Sequence, residues 1–193
     1  MAITYPIAAY PKEFALRDGT VVSIRPLDRD DGGALLHFFL GIPEDERFFL
    51  KDDVTSPAVI KEWTGHLNYN RALPIVAVES AQIIGEAVLV RRRGNARSHV
   101  GELRVTVAPA WRDKGLGTAL IRELCDIAND AELDKVLFEV VDDCEAKAAE
   151  AAQAIGFVTA GKVEGGARDI DGHLHDITIL AMPLGKYYEW SKY

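Results

Sequence analysis

The stretch that decides the fold runs Val105-Thr-Val-Ala-Pro-Ala-Trp-Arg-Asp-Lys-Gly-Leu-Gly-Thr118. The apolar residues before Pro109 alternate with polar ones, which predicts a β-strand that ends at the proline. Apolar residues three or four positions apart follow Gly115, which predicts an amphipathic helix. We therefore expect a strand, a glycine-containing turn and a helix in direct succession.

The start of this helix has the features of an anion-binding site. The first N–H groups of a helix lack partners within the helix, and the helix dipole adds partial positive charge there. Gly115 and Gly117 allow a ligand close to the backbone, Arg112 and Lys114 add charge, and Thr118 offers a hydroxyl. Such a cradle suits a pyrophosphate. The segment contains neither the Gly-Lys-Ser/Thr of a Walker loop nor the third glycine of a GxGxxG motif.

Outside this segment, the patterns predict an α/β (α+β) fold. We expect a hairpin around Asp18-Gly19, helical segments, three strands, the central helix, a buried strand, an alanine-rich helix ending at Gly156 and a closing hairpin. The strand–helix–strand unit between His99 and Val141 lies among strands in antiparallel order. The sequence therefore predicts a single mixed, mostly antiparallel central sheet flanked by helices.

Length, composition and charge narrow the class of protein. The 193 residues are 48% hydrophobic and 27% charged, as in a soluble globular protein, and suit one domain over residues 1–193, with a core at about 14–184 and a tail at 185–193. The net charge of −8 argues against a nucleic-acid partner. No apolar run approaches the ~18 residues of a membrane span, so we expect no membrane partner. Without a visible secretory signal, the expected location is cytoplasmic.

The motif Arg112-x-x-Gly115-x-Gly117 resembles the Arg/Gln-x-x-Gly-x-Gly/Ala signature of the GNAT acetyltransferase superfamily. The resemblance extends over roughly residues 17–184, where residues 103–109 and 137–140 look like the family's fourth and fifth core strands. The opening, from Leu16-Arg-Asp-Gly-Thr to Ile24-Arg-Pro, also looks like GNAT domains of bacterial protein-lysine acetyltransferases.

The resemblance implies a GNAT-like sheet in which strands 4 and 5 splay apart around acetyl-CoA. It implies that backbone groups of Val105, Thr106 and Val107 bind the pantetheine arm, and that an N–H near Val107 stabilises the developing oxyanion. The implied pyrophosphate ligands are backbone amides of one loop, together with the positive charge of Arg112. These amides belong to Asp113, Lys114, Gly115, Leu116, Gly117 and Thr118.

The implied reaction is N-acetyl transfer, in which a primary amine of a small molecule or a protein lysine attacks acetyl-CoA directly in a ternary complex. A protonated amine has no lone pair, so a base must take its proton. Glu102, at the start of the strand that lines the cleft, and Glu139, in the next core strand, are alternative candidates. Strand alternation decides which face each carboxylate occupies, and the sequence leaves this open.

One position departs from the family pattern. The tyrosine that usually protonates the leaving thiolate lies four residues before the Gly of Gly-Phe, and here that position is Ala152. The companion asparagine position is Glu145. The alternative reading is therefore an acyl-CoA binding or sensing module with little catalysis.

Two histidines near the C-terminus raise the question of a metal. In a strand His173 and His175 share a face and Asp176 points to the opposite one, so we expect no metal site.

The net charge of −8 favours cationic acceptors through electrostatic steering. A homodimer is the default assembly.

Overall fold

The fold is an eight-stranded sheet with the order β1-β2-β3-β4-β5-β6-β8-β7. The computed structural model describes residues 7–91 and 95–185, so most of the predicted tail lies outside the described residues. The strands are β1 (Lys12–Ala15), β2 (Val21–Pro26), β3 (Ala72–Glu79), β4 (Gln82–Arg91), β5 (Val100–Val107), β6 (Lys135–Val141), β7 (Val158–Arg168) and β8 (Leu174–Pro183).

In the described part of the chain, five α-helices connect or cover these strands. They are α1 (Gly32–Leu40), α2 (Glu44–Arg47), α3 (Pro57–Gly65), α4 (Leu116–Asp130) and α5 (Ala146–Ile155). The helix α5 ends at Gly156, whose φ of +124° suits glycine because a Cβ would be strained there. Within the described residues no helix is long and apolar enough to cross a membrane.

Strand pairing confirms the predicted sheet. Every neighbouring pair is antiparallel except β5 and β6, which run parallel and are joined through α4. The first hairpin forms as predicted, but its turn is wider than the Asp18-Gly19 pair suggested and spans residues 16–20. Leu16 explains the difference, because its side chain is buried in the core while its amide donates to Thr20 O at 2.8 Å.

The two faces of the sheet carry separate apolar clusters. Leu103 of β5 and Phe138 of β6 pack with α4 and α5 on the face that we call the α4 face. Phe39 of α1 and Ile60 of α3 pack on the opposite face, the α1 face. Because side chains alternate along a strand, the charged residues of β5 lie on the α1 face.

The parallel pair separates halfway along its length. Pairing joins Val100–Leu103 to Lys135–Phe138 and stops there. Beyond that point β5 stays paired with β4 as far as Val107, and β6 stays paired with β8 as far as Val141. The two strands therefore diverge between Arg104–Val107 and Glu139–Val141, and we call this opening the fork. It confirms the expected splay of the two strands.

Candidate active site

The fork leaves one backbone edge of β5 open, along a stretch of partly buried residues. The groups of Arg104–Val107 that face β6 have no strand partner, although the opposite edge of β5 is paired with β4. The Val107 carbonyl accepts a hydrogen bond from Arg112 Nε at 3.1 Å. Because unpaired backbone groups in a protein interior need partners, this edge suits an extended ligand that bonds like an added strand.

The helix α4 begins at the end of β5 and presents free amides there. Its N-cap, Gly115, has a φ of +89°, and Ala119 N donates to Gly115 O at 3.0 Å. Within the described residues no hydrogen bond uses the amides of Leu116, Gly117 or Thr118. With the helix dipole, these amides make the start of α4 suited to an anion. The helix thus begins where the sequence placed the predicted cradle.

Arg112 holds the loop before α4 in place. Its two terminal nitrogens bind the Glu46 carboxylate of α2 at 2.8 and 2.5 Å. This pairing raises the pKa of Arg112. The sequence suggested a free positive charge at this position, but the structure pairs that charge with Glu46. Arg112 thus joins α2 to the end of β5.

Some of the other loop residues have side chains that are paired with nearby residues, and others can offer only backbone groups to a ligand. Lys114 Nζ lies 3.0 Å from Asp18 Oδ2, and the exposed Asp113 pairs with Lys147 at 2.6 Å. Leu116 is buried in the core, so it offers its amide alone. A Cβ on Gly117 would lie 3.7 Å from Val107 Cγ2, which is ordinary contact.

Glu102 and Glu139 lie together on the α1 face, which the sequence could not decide. Lys51 Nζ contacts Glu102 Oε1 at 2.6 Å and Glu139 Oε2 at 3.3 Å. Arg104 Nη2 lies 3.5 Å from Glu102 Oε1. Lys51 therefore bridges β5 and β6 at the point where they separate. Both predicted carboxylates are close to the fork, and both are paired with a lysine.

Sequence reasoning missed a third carboxylate, Glu86, in the centre of β4. Glu86 is 7% exposed, and it lines a cavity of about 590 Å³ on the α1 face. Burial raises the pKa of Glu86 to about 8, and attraction to Arg104 opposes this in part. The signal in the sequence was a lone charge within the apolar run Ile83-Ile-Gly-Glu-Ala-Val-Leu89.

The position that holds a tyrosine in the family carries a small buried side chain. Ala152 in α5 is fully buried, so it offers no group to the fork. Glu145 accepts a 2.8 Å hydrogen bond from Val141 N at the end of β6. Burial is the main cause that raises the pKa of Glu145.

The two C-terminal histidines form a hydrogen-bonded cluster with Asp169 in the β7–β8 hairpin. His173 Nδ1 and His175 Nε2 each lie 3.1 Å from Asp169 Oδ2. The ring of Phe49 stands edge-on to His175 with a centroid distance of 5.9 Å. Asp176 instead pairs with Lys162. The cluster therefore tethers the segment after α2 to the hairpin.

Comparison with known families gives one match, over residues 37–157, to the acetyltransferase (GNAT) family. The matched range includes the fork, the start of α4 and most of the cavity wall. No curated protein matches the sequence.

Solved structures share the fold at low sequence identity. The GNAT domain of S. lividans PAT is 20% identical with a TM-score of 0.75, covering 94% of this chain and 100% of that one. The Salmonella typhimurium protein yncA, solved with its cofactor acetyl-CoA, is 19% identical with a TM-score of 0.71, covering 86% and 95%. The ribosomal-protein-S5-alanine acetyltransferase from Vibrio fischeri is 16% identical with a TM-score of 0.73, covering 86% and 94%.

Proposed function

The chain belongs to the acetyltransferase (GNAT) family and is an acyltransferase that uses acetyl-CoA, and we propose that it acetylates the nitrogen of a primary amine. The observation that carries this proposal is the fork, which ends at the N-terminus of α4. An unpaired strand edge followed by free helix amides suits a ligand that has an amide-containing arm and a pyrophosphate.

The cofactor side of the proposal rests on backbone groups. We propose that Val105, Thr106 and Val107 bond the pantetheine arm and that amides of residues 113–118 hold the pyrophosphate. Acetyl-CoA, when bound, supplies the acetyl thioester. The room beside Gly117 supports this fit, because the backbone there is open to a ligand. An N–H near Val107 stays our prediction for the oxyanion donor.

The acceptor side requires a group that takes the proton of the amine. Glu102 and Glu139 stay alternative predictions for that base, supported by their position on the α1 face beside the fork. Their shared contact with Lys51 means that neither carboxylate carries an uncompensated charge. A direct attack in a ternary complex needs the amine on this same face.

The acceptor is proposed to be a small cationic amine. The cavity of about 590 Å³ beside the fork has the size of a small-molecule site. The net charge of −8 attracts cations from solution. A protein lysine is the second candidate, supported by the likeness to the GNAT domain of S. lividans PAT and by the partly open cavity.

Thermal unfolding with acetyl-CoA, free CoA and ATP tests the cofactor assignment first. A ligand at about 100 times its Kd stabilises the folded state by about 2.7 kcal/mol, which raises the Tm measurably. We expect a shift with both CoA species and none with ATP. Equal shifts with ATP, or none with CoA, would contradict the proposal.

Release of free CoA thiol with a panel of amines and peptides then tests transfer. Release that depends on the amine supports N-acetylation. Tight binding of acetyl-CoA without amine-dependent release would identify a binding module, the alternative that Ala152 favours.

A further inference from the structure

The cavity on the α1 face carries a carboxylate that no described residue neutralises by contact. Its wall is formed by β4 and β5 on the sheet side and by α1, α3 and the segment around Lys51 on the other side. Glu86 lies on this wall and is only 7% exposed. Within residues 7–91 and 95–185, no hydrogen bond or ion pair engages its side chain.

An uncompensated buried carboxylate is costly, because burial removes water that would stabilise its charge. Folded proteins seldom keep such a group unless a ligand or a reaction uses it. The other carboxylates near the fork differ from Glu86 in this respect. Glu102 and Glu139 both contact Lys51, whereas Glu86 has only the longer-range attraction of Arg104.

Glu86 also lies closer to the middle of the open strand edge than Glu102 does. In the β4–β5 register Glu86 is directly opposite Thr106, within the unpaired half of β5. Neighbouring strands are ~5 Å apart, whereas the four residues from Glu102 to Thr106 extend ~13 Å along the strand. A molecule in the cavity therefore meets Glu86 beside the segment proposed to bind the pantetheine arm.

We propose that Glu86 binds the ammonium group of the acceptor in this cavity and takes its proton before acetyl transfer. This inference rests on the proposed function, because it assumes that the acceptor is an amine, and it assigns the base to Glu86 in place of Glu102 or Glu139. The geometry supplies a buried anionic site for a cation, open to the cavity and adjacent to the fork. The substrate class that fits is a small primary amine that enters as a cation.

The proton step balances within the pair. One N–H bond of the ammonium breaks, and one O–H bond forms on a Glu86 carboxylate oxygen. The charges of the ammonium and carboxylate cancel, which is favourable in a low-dielectric cavity. The nitrogen keeps the electron pair of the broken bond, and attack on a carbonyl carbon needs that pair. The proton then leaves Glu86 to solvent through the cavity mouth after release of product.

Charged groups on every wall of the cavity act on this step. Arg104 on β5 attracts the Glu86 carboxylate electrostatically and therefore favours its ionised form. The remaining titratable groups on the wall are Lys51, Asp52, Glu62, His66 and Arg71. With a pKa of about 8, Glu86 is mostly protonated at pH 7 and becomes a base as the pH rises.

A ¹³C NMR titration of the full-length protein tests the binding half directly. The Glu86 carboxyl resonance is assigned by its loss in Glu86→Gln, and cadaverine serves as the cationic probe. We expect a midpoint near pH 8 without cadaverine and a lower midpoint with it, because the cation favours the carboxylate. A midpoint below 6, or one that cadaverine leaves unchanged, would overturn the proposal.

Steady-state acetyl transfer to cadaverine between pH 6 and 10 tests the proton step, with Glu86→Gln, Glu102→Gln and Glu139→Gln as a matched set. In the parent protein kcat should rise with pH to a plateau above about 8. Glu86→Gln should lower kcat at least ~100-fold and lose this rise, with unchanged acetyl-CoA affinity as evidence of folding. The rise should persist in Glu44→Gln, an exposed carboxylate on α2 that does not line the cavity.

The outcomes separate the two proposals. A rise that persists in Glu86→Gln but vanishes in Glu102→Gln or Glu139→Gln would assign the base elsewhere and overturn this inference, while N-acetylation stands. No transfer to any amine, together with a Glu86 midpoint that cadaverine lowers, would contradict the proposed function and leave the cation site in place.

Discussion

The cofactor side and the acceptor side of this protein are built in different ways. The proposed cofactor side consists of backbone groups from one continuous segment, residues 105–118, where β5 ends and α4 begins. The proposed acceptor side consists of side chains from segments far apart in sequence, such as Phe39, Trp63, Glu86 and Arg104. One side depends on local conformation, and the other depends on packing.

This difference predicts how each side responds to substitution. A backbone site is damaged only by residues that fill the ligand's space or change the local conformation. The binding properties of a side-chain site change when any charge that faces it is altered, because a buried charged group has few other partners that could replace the one it loses. The contrast between the two sides is therefore open to test by single substitutions.

Gly117→Leu should weaken acetyl-CoA binding at least ~1,000-fold, which is about 4 kcal/mol, because the side chain enters the space of the pyrophosphate. The fold should tolerate the change, since a Cβ there makes only ordinary contact. Calorimetric titration measures the affinity, and thermal unfolding measures stability.

Gly33→Leu is the matched control, since Gly33 is also the second residue of its helix and is exposed with no atom within 4 Å of its Cβ. Unchanged affinity in Gly117→Leu would show that the cradle is not the anion site.

Glu86→Gln should stabilise the protein in a pH-dependent way. The folded-state pKa of about 8 lies above the ordinary value of 4.5, so the folded state holds a proton that the unfolded state loses. Parent stability therefore falls as the pH rises from 4.5 to about 8, whereas Glu86→Gln lacks this loss. The difference should approach about 4–5 kcal/mol above pH 8.

Urea unfolding of both proteins at pH 5, 7 and 9 measures this difference. A constant offset between the two across this range would mean that Glu86 is ionised in the folded protein throughout.

Glu46→Gln should tighten acetyl-CoA binding by ~2–5-fold, because it removes an anion near the cradle and frees the charge of Arg112. The exposed part of this ion pair limits its stabilising effect to less than about 1 kcal/mol. Glu44→Gln, an exposed change on the same helix, is the control. Weaker binding in Glu46→Gln alone would show that the Arg112–Glu46 pair is needed to shape the cradle.

His175→Gln should have the smallest effect, confined to lower pH. Contact with Asp169 is the main cause that raises the pKa of His175. The stabilisation is complete below the ordinary value of 6.5 and is lost as the pH rises through the raised folded-state pKa. We expect a lower Tm than the parent at pH 6 and equal Tm values at pH 9. A difference that stays constant with pH would indicate lost packing against Phe49.

The sequence predicted the order of the elements well, because most of them depend on local patterns. The helix predicted after Gly115 begins at Leu116, and the strand predicted to end at Pro109 ends at Val107. The predicted width of the first turn was wrong, because the Leu16 side chain is buried in the core and the connection is longer as a result. That burial depends on packing, which a two-residue sequence pattern cannot show.

The site divides along the same line. By itself, the sequence determined the cradle, because a glycine-containing turn into a helix creates free amides wherever it folds. Only the tertiary structure decided that Arg112 pairs with Glu46, that Glu102 and Glu139 share Lys51, and that Glu86 has no such partner among the described residues. The physical reason is register: moving a strand by one residue reverses the face of every side chain, so the charges that meet are set by packing.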